Sequence, residues 1–160
     1  MSEHKRELAL QLFQRAYTLQ MQGQFDQAVS LYQESIDLCP TAEAYTFLGW
    51  TYRFQGRLEA AIAECKKAID VDPTFGNPYN DIGAYLIEKG EYAESIPWLE
   101  KALESQRYES YHYPWYNLGR AYAAMEMFRK ARQCFERSIE IEPNYTLAQQ
   151  AFQRIRILVQ

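Results

Sequence analysis

An all-helical chain of stacked helix pairs is the fold class this sequence predicts, and three observations predict it. Gly23, Gly56 and Gly90 are spaced by 33 and then 34 residues, and Gly49, Gly83 and Gly119 by 34 and then 36. Pro40 and Pro73 lie 33 apart, and Pro143 falls 70 beyond Pro73, two periods plus a two-residue insertion. Within each period the apolar residues return at three- and four-residue steps, the repeat of a helix, while strand-like alternation has no useful length anywhere.

The elements follow in order. Each unit reads as two helices of about 13 residues, broken near the middle by Gly-Gln-Phe, Gly-Arg-Leu or Gly-Glu-Tyr in the first three. Unit one, about 9–41, has Leu12, Ala16, Gly23, Phe25, Ala28, Tyr32 and Pro40. Unit two, about 42–75, reads Tyr45-x2-Leu48-Gly49-x2-Tyr52, then Ala61-x3-Cys65, then Pro73. Unit three, about 76–109, keeps Tyr79, Ile82, Gly83, Gly90 and Ala102 but has Arg107 where the closing proline belongs. Its Asn77-Pro78 step reads as a helix N-cap followed by proline at the first helical position. Pro97 falls about a turn into the second helix, which predicts a locally opened helix start there. Unit four, about 112–145, reads Trp115-x2-Leu118-Gly119-x2-Tyr122, Ala131-x3-Phe135 and Pro143, with Pro114 opening it. Residues 146–160 carry the stripe Leu147, Ala148, Ala151, Phe152, Ile155 and Leu158 opposite Gln149, Gln150, Gln153, Arg154 and Arg156, as a capping helix would.

Four such units in succession resemble the tetratricopeptide repeat. The resemblance implies a right-handed superhelical solenoid of antiparallel helix pairs, one domain of four units plus the C-terminal cap. The pattern has a physical cause. Gly49, Gly83 and Gly119 fall where the two helices of a unit cross, and any side chain there would hold the backbones apart. No unit can bury its apolar face alone, so stability is a sum of stacking terms between neighbours.

Composition excludes several function classes. There are 21 acidic and 17 basic side chains, a net charge of −4, which is not the basic surface of a nucleic-acid binder. No apolar run approaches the roughly 20 residues of a membrane-spanning helix. The charged start, Met1-Ser2-Glu3-His4-Lys5-Arg6-Glu7, is not followed by an apolar signal core, so the expectation is no secretory peptide. Cys39, Cys65 and Cys134 have no metal-ligand spacing and are odd in number, so a reducing, cytoplasmic setting is the expectation. Cys65 and Cys134 read as small core hydrophobes. His4 and His112 stand outside any nucleophilic pattern, and no phosphate loop or metal cluster is legible. The expectation is a non-enzyme with no catalytic residues, no metal and no cofactor.

The aromatic content is left to explain. Ten of the 24 aromatic residues occupy repeat positions, and 14 do not. At 100° per residue the positions of a first helix that oppose its packing stripe share one side, which in repeats of this family lines the concave groove. That side carries Phe13, Tyr17 and Met21, then Thr46, Phe47, Trp50, Arg53 and Phe54. It continues with Asn80, Asp81, Ala84 and Glu88, then Tyr113, Tyr116, Asn117 and Arg120, with Arg154 from the cap. Seven surplus aromatics therefore share one face. Either these rings pack on one another, or against residues 1–8 folded back, or they line a ligand groove. The groove is the expectation, because aromatics and arginine are enriched at binding hot spots. Phe13, Tyr17, Phe47, Trp50, Arg53, Phe54, Asn80, Tyr113, Tyr116, Asn117, Arg120 and Arg154 are its predicted partner contacts, with the two asparagines offered to a peptide backbone or simply solvated.

One sub-class of the family holds acidic chaperone tails with lysine and asparagine in the first unit and lysine and arginine in the third. The matching positions here are Phe13, Tyr17, Asn77 and Asp81, so that clamp is absent. The tyrosine-rich segment 107–116 reads as a longer loop covering the junction between units three and four, with a contact loop as the alternative. The functional expectation is a protein-interaction adaptor that holds a peptide or helix of another protein in the groove. The alternatives are a self-assembling unit forming a weak homo-oligomer, or a secretion or assembly chaperone of the same architecture.

Overall fold

A computed structural model describes residues 2–159, and all structural statements concern these. Met1 and Gln160, which belong to the expected N-terminal segment and cap, lie outside them. Four helix pairs follow one another: α1 (Glu3–Met21) with α2 (Phe25–Leu38), α3 (Ala42–Phe54) with α4 (Leu58–Val71), α5 (Asn77–Glu88) with α6 (Tyr92–Glu104), and α7 (His112–Ala124) with α8 (Phe128–Ile141). A last helix, α9 (Thr146–Ile155), runs into a short 3-10 turn, Arg156–Leu158. Each helix packs on the next, and the first helices also meet across units, α1 on α3, α3 on α5, α5 on α7 and α7 on α9. The second helices make no comparable contacts with one another, so the array curves with α1, α3, α5, α7 and α9 inside.

The crossing points are as close as the sequence requires. A Cβ on Gly49 would meet the Ala61 carbonyl oxygen at 2.9 Å, and one on Gly83 would meet Leu99 Cγ at 2.5 Å. Ala28, Ala61 and Ala131 are fully buried on the facing helices. The turn inside each of the first three units is closed by Gly23, Gly56 or Gly90 at φ of 79°, 77° and 82°, where a side chain is disfavoured. Unit four makes the same turn on Glu126 at φ 60°. The serines Ser35 and Ser138 tie the second helix of their units to the first, donating to the carbonyls of Ala9 within α1 (2.7 Å) and His112 at the start of α7 (2.8 Å).

Several expectations are corrected. The N-terminal residues do not fold back into the groove. Ser2 caps α1 by accepting from the Lys5 amide, and the helix starts at Glu3 rather than near residue 9. The third helix pair opens one residue early, with Gly76 at the N-cap and Pro78 inside the first turn; Pro114 likewise sits two residues into α7. Pro97 leaves α6 continuous. The carbonyl it cannot satisfy is that of Ala93, and both Ala93 and Pro97 are exposed residues.

The tyrosine-rich segment covers a junction, but a different one. Arg107 pairs through its backbone with the strand-like Thr74–Gly76 stretch, its amide donating to Thr74 at 2.9 Å and its carbonyl accepting from Gly76 at 3.2 Å. Its guanidinium reaches Asp72 at 3.0 Å and Glu43 at 3.4 Å, and lies 4.2 Å from the Phe75 ring centroid. Tyr108 is buried against Tyr79 and Ala102, so close to Gly76 that a Cβ there would touch its Cγ at 2.5 Å. Tyr111 stacks edge-on to Tyr108 at 5.4 Å and donates to the Ser105 carbonyl. The insertion straps units two and three together. Cys65 and Cys134 are buried, and burial pushes the Cys134 thiol up to about 11, as suits core side chains.

Candidate functional site

The predicted aromatics do come together, in two clusters on the inner face. In the N-terminal half the rings form a continuous wall. Phe13 and Tyr17 meet Phe47 edge-on at 5.3 and 5.7 Å; Phe47 meets Trp50 at 6.0 Å, and Trp50 meets Phe54 at 5.1 Å. Phe54 stacks flat on Phe25 at 5.4 Å, and Phe13 reaches Tyr32 at 5.6 Å. The rings thus pack on one another and still present surface: Tyr17 is 39% and Phe54 42% exposed. Edge-to-face pairs of this kind are worth about 0.5–1.5 kcal/mol beyond burial and hold the wall rigid. Thr46, expected on this face, is buried instead and donates to the Ala42 carbonyl at 2.7 Å.

The middle of the face is polar and largely spent on itself. Arg53 forms two bonds to Glu88 Oε1 at 3.0 and 2.7 Å, so it is neutralised rather than free for a ligand. Asn80 and Asn117 are neither solvated nor offered to a peptide as expected. They are buried, and Asn117 donates to Asn80 Oδ1 at 3.0 Å while accepting from Arg120 at 3.0 Å. Asp81 is half-buried beside Tyr85 and Cys65, with no hydrogen bond to a described residue, and burial raises its carboxyl to about 7. The Tyr85 hydroxyl is buried without a partner.

The C-terminal half holds the second cluster. Tyr113, 42% exposed, packs on His112 at 4.1 Å and on Tyr145 at 5.4 Å. Tyr116 meets Tyr145 at 5.3 Å and Phe135 at 5.9 Å, with the Arg120 guanidinium 5.8 Å from its centroid. Beside it opens a cavity of about 550 Å³ between α7, α9 and the end of α5, which Arg120 and Arg154 line together. A second cavity, about 460 Å³ and mostly apolar, lies at the other end of the array against Leu10, Phe13, Cys39 and Phe47. Sequence reasoning missed Tyr145 and Leu10. Tyr145 stands two residues after the closing proline and was visible as a surplus ring, and Leu10 lay inside the assigned first unit but was passed over because the groove reading followed the aromatics.

Among the described residues no group of three or more His, Cys, Asp or Glu is placed to hold a metal ion, and no helix is long and apolar enough to cross a membrane. His112 is held below its ordinary value by burial and packs among tyrosines.

Comparison with known proteins agrees with the repeat pattern. The Tetratricopeptide repeat family model matches residues 6–74 and again 75–143. Over 136 residues, 79% of the chain, it is 31% identical to the probable UDP-N-acetylglucosamine–peptide N-acetylglucosaminyltransferase SPINDLY of Hordeum vulgare, of which the match covers 14%. Over 79 residues, 48% of the chain, it is 32% identical to small glutamine-rich tetratricopeptide repeat-containing protein 2 of Mycosarcoma maydis, of which the match covers 22%. The chain thus spans less than a quarter of the curated relatives it matches. The solved Pseudomonas aeruginosa pilF superposes with a TM-score of 0.89 at 21% identity, over 96% of this chain and 69% of that one. The first repeat domain of Spaghetti (RPAP3), solved with the HSP90 peptide SRMEEVD, superposes with a TM-score of 0.69 at 24% identity, over 74% of this chain and 93% of that one. These two likenesses concern the fold. With the family model matched twice along nearly its whole length, the chain belongs to the tetratricopeptide repeat family.

Proposed function

We propose that the protein is a non-catalytic interaction adaptor that holds a peptide segment of a partner protein against its concave face. The observation that carries the reading is the aromatic wall of Phe13, Tyr17, Phe47, Trp50 and Phe54, rigid through its own ring contacts yet open along its rim. Contiguous apolar surface of this kind is uncommon without a partner, and large fixed rings bury area at low entropy cost. A related fold solved with a bound peptide supports the same use of the architecture. Three free cysteines suit a reducing, cytoplasmic setting.

The test compares two tryptophans. Trp50 lies in the wall, whereas Trp98 lies on α6, packed on Tyr79 at 6.4 Å with Lys101 4.8 Å from its centroid. Trp50→Ala weakens partner binding by about 2 kcal/mol or more and Trp98→Ala leaves it unchanged. The reverse result sinks the proposal. Self-assembly is the second reading, favoured by the exposed apolar residues at the array ends, Leu8 and Leu10 at one and Ile157 (70%) and Leu158 (58%) at the other. Light scattering that finds mass growing with concentration supports that reading; a monomer throughout supports the adaptor.

A further inference from the structure

The cap does more than close the array. Ala148, Ala151 and Ile155 already bury the inner stripe of α9 against unit four, which is all that capping needs. Arg154 and Leu158 are not part of that stripe, and both line the cavity of about 550 Å³ that α9 makes with α7. Its volume falls within the roughly 300–1,000 Å³ of ligand pockets. Its floor is apolar and firm, with Ile87, Phe135 and Ile155 each at most 7% exposed.

Its charge is unbalanced. Of the three arginines expected on the concave face, Arg53 is neutralised by Glu88, but neither Arg120 nor Arg154 forms an ion pair with any described residue. Arg120 is nonetheless held in place, since its Nη1 donates to Asn117 and Asn117 donates to Asn80. A guanidinium carries five N–H donors, so one such bond fixes its orientation and leaves others for a ligand. The surroundings have the same sign. Residues 112–160 hold seven basic and four acidic side chains, whereas residues 1–111 hold ten basic and seventeen acidic, so the chain's negative balance lies entirely in its first three units.

The geometry points to a second subsite here, one that takes an apolar side chain of a peptide together with a neighbouring aspartate or glutamate side chain. This rests on the reading that the concave face holds a peptide, and it adds a polarity. The apolar part of the segment lies along the wall of α1 and α3, and its acidic part lies at α7 and α9. The apolar side chain fills the floor of Ile87, Phe135 and Ile155, and the carboxylate meets Arg120 and Arg154 at the rim.

The experiment uses peptides selected from a random library of 12-residue sequences displayed with their C-termini blocked by fusion, with the full chain as bait. Selected peptides are made as fluorescein-labelled C-terminal amides and titrated against the parent, Trp50→Ala, Arg154→Glu and the double variant Arg120→Gln with Arg154→Gln. The expected result is enrichment of Asp or Glu beside Leu, Ile or Phe, and about a tenfold or greater loss of affinity in the double variant. Replacing the acidic residues by lysine restores binding to Arg154→Glu, which a variant that had merely misfolded would not allow. Peptides that need Trp50, lack acidic residues and bind the arginine variants as they bind the parent overturn the subsite while the concave-face reading stands. Peptides indifferent to Trp50 and to both arginines, or an empty selection, overturn both. Each selected peptide is also titrated as the free acid, and binding seen with the free acid but not with the amide assigns the arginines to a chain terminus and overturns the side-chain form proposed.

Discussion

Replacing Gly119 by alanine adds one methyl group at the point where α7 crosses α8. A Cβ there would lie 2.5 Å from Cδ1 and 2.8 Å from Cζ of Phe135. Carbon atoms in contact sit about 3.5–4.0 Å apart, so the ring must retreat by roughly 1 Å or the helices must part. The ring is 2% exposed and packed on Ala131, Ala151 and Ile155, with Tyr116 beside it, so a shift disturbs these contacts even though the ring also lines the cavity of about 550 Å³. Overpacking of this kind costs about 1–3 kcal/mol, against a helix-propensity gain of about 1 kcal/mol for Gly→Ala. The net expectation is a loss of up to about 2 kcal/mol, or up to ~8 °C in melting temperature for a chain of this length. Phe135→Leu in the same background removes part of the clash, so the double variant loses less than the sum of the two singles. Gly56→Ala is the control, with φ 77° and nothing within 4 Å of its Cβ, so it is destabilised by backbone strain that Phe135→Leu cannot relieve. Thermal and urea melts followed by far-UV circular dichroism give all five values. If Gly119→Ala melts at or above the parent, or couples to Phe135→Leu no more than Gly56→Ala does, the helix crossing is not what the glycine serves.

Two further perturbations have signs fixed by the structure. Glu126→Gly, at the one half-unit turn made by a side-chain-bearing residue at positive φ, should raise stability by about 0.5–1 kcal/mol, read as an increase in melting temperature. Asp81 titrates at about 7 in the folded chain, above its unfolded value, so the native state binds more protons than the unfolded one between about pH 4 and 7 and loses stability as pH rises through that window. Asp81→Asn should therefore gain on the order of 1–2 kcal/mol over the parent at pH 8, discounted for the partial exposure of the carboxylate, and the gain should vanish below about pH 4 in urea melts. A gain independent of pH would assign the effect to packing rather than to charge.

What was legible in the sequence was whatever recurs with the period. Gly49, Gly83 and Gly119 marked the crossings because each must meet a specific neighbour, and Gly23, Gly56 and Gly90 marked the turns because each needs a left-handed backbone. Residues 3–8 were missed as helix because Glu3, His4, Lys5, Arg6 and Glu7 carry no apolar stripe, although Ser2 was a readable cap. The pairing of Arg53 with Glu88 and of Asn80 with Asn117 was missed although a signal existed. The pairs lie 35 and 37 residues apart, close to one repeat, and groove positions one repeat apart are neighbours in a solenoid. The strap made by Arg107 had that signal only in part, since Asp72 lies 35 residues from it but Glu43 does not share the period. Its bond to Glu43 spans 64 residues, and nothing local says that the loop turns back toward unit two rather than onward to unit four.

The central claim is that a partner lies along the inner faces of α1, α3, α5 and α7. A photo-reactive phenylalanine placed singly at Tyr17, Phe54 and Tyr113, the exposed rings of that face, should crosslink one and the same partner in native lysate. The same group at Val71, an exposed apolar position at the end of α4, should not. Crosslinking of that partner from Val71 with none from Tyr17, Phe54 and Tyr113 would contradict the account.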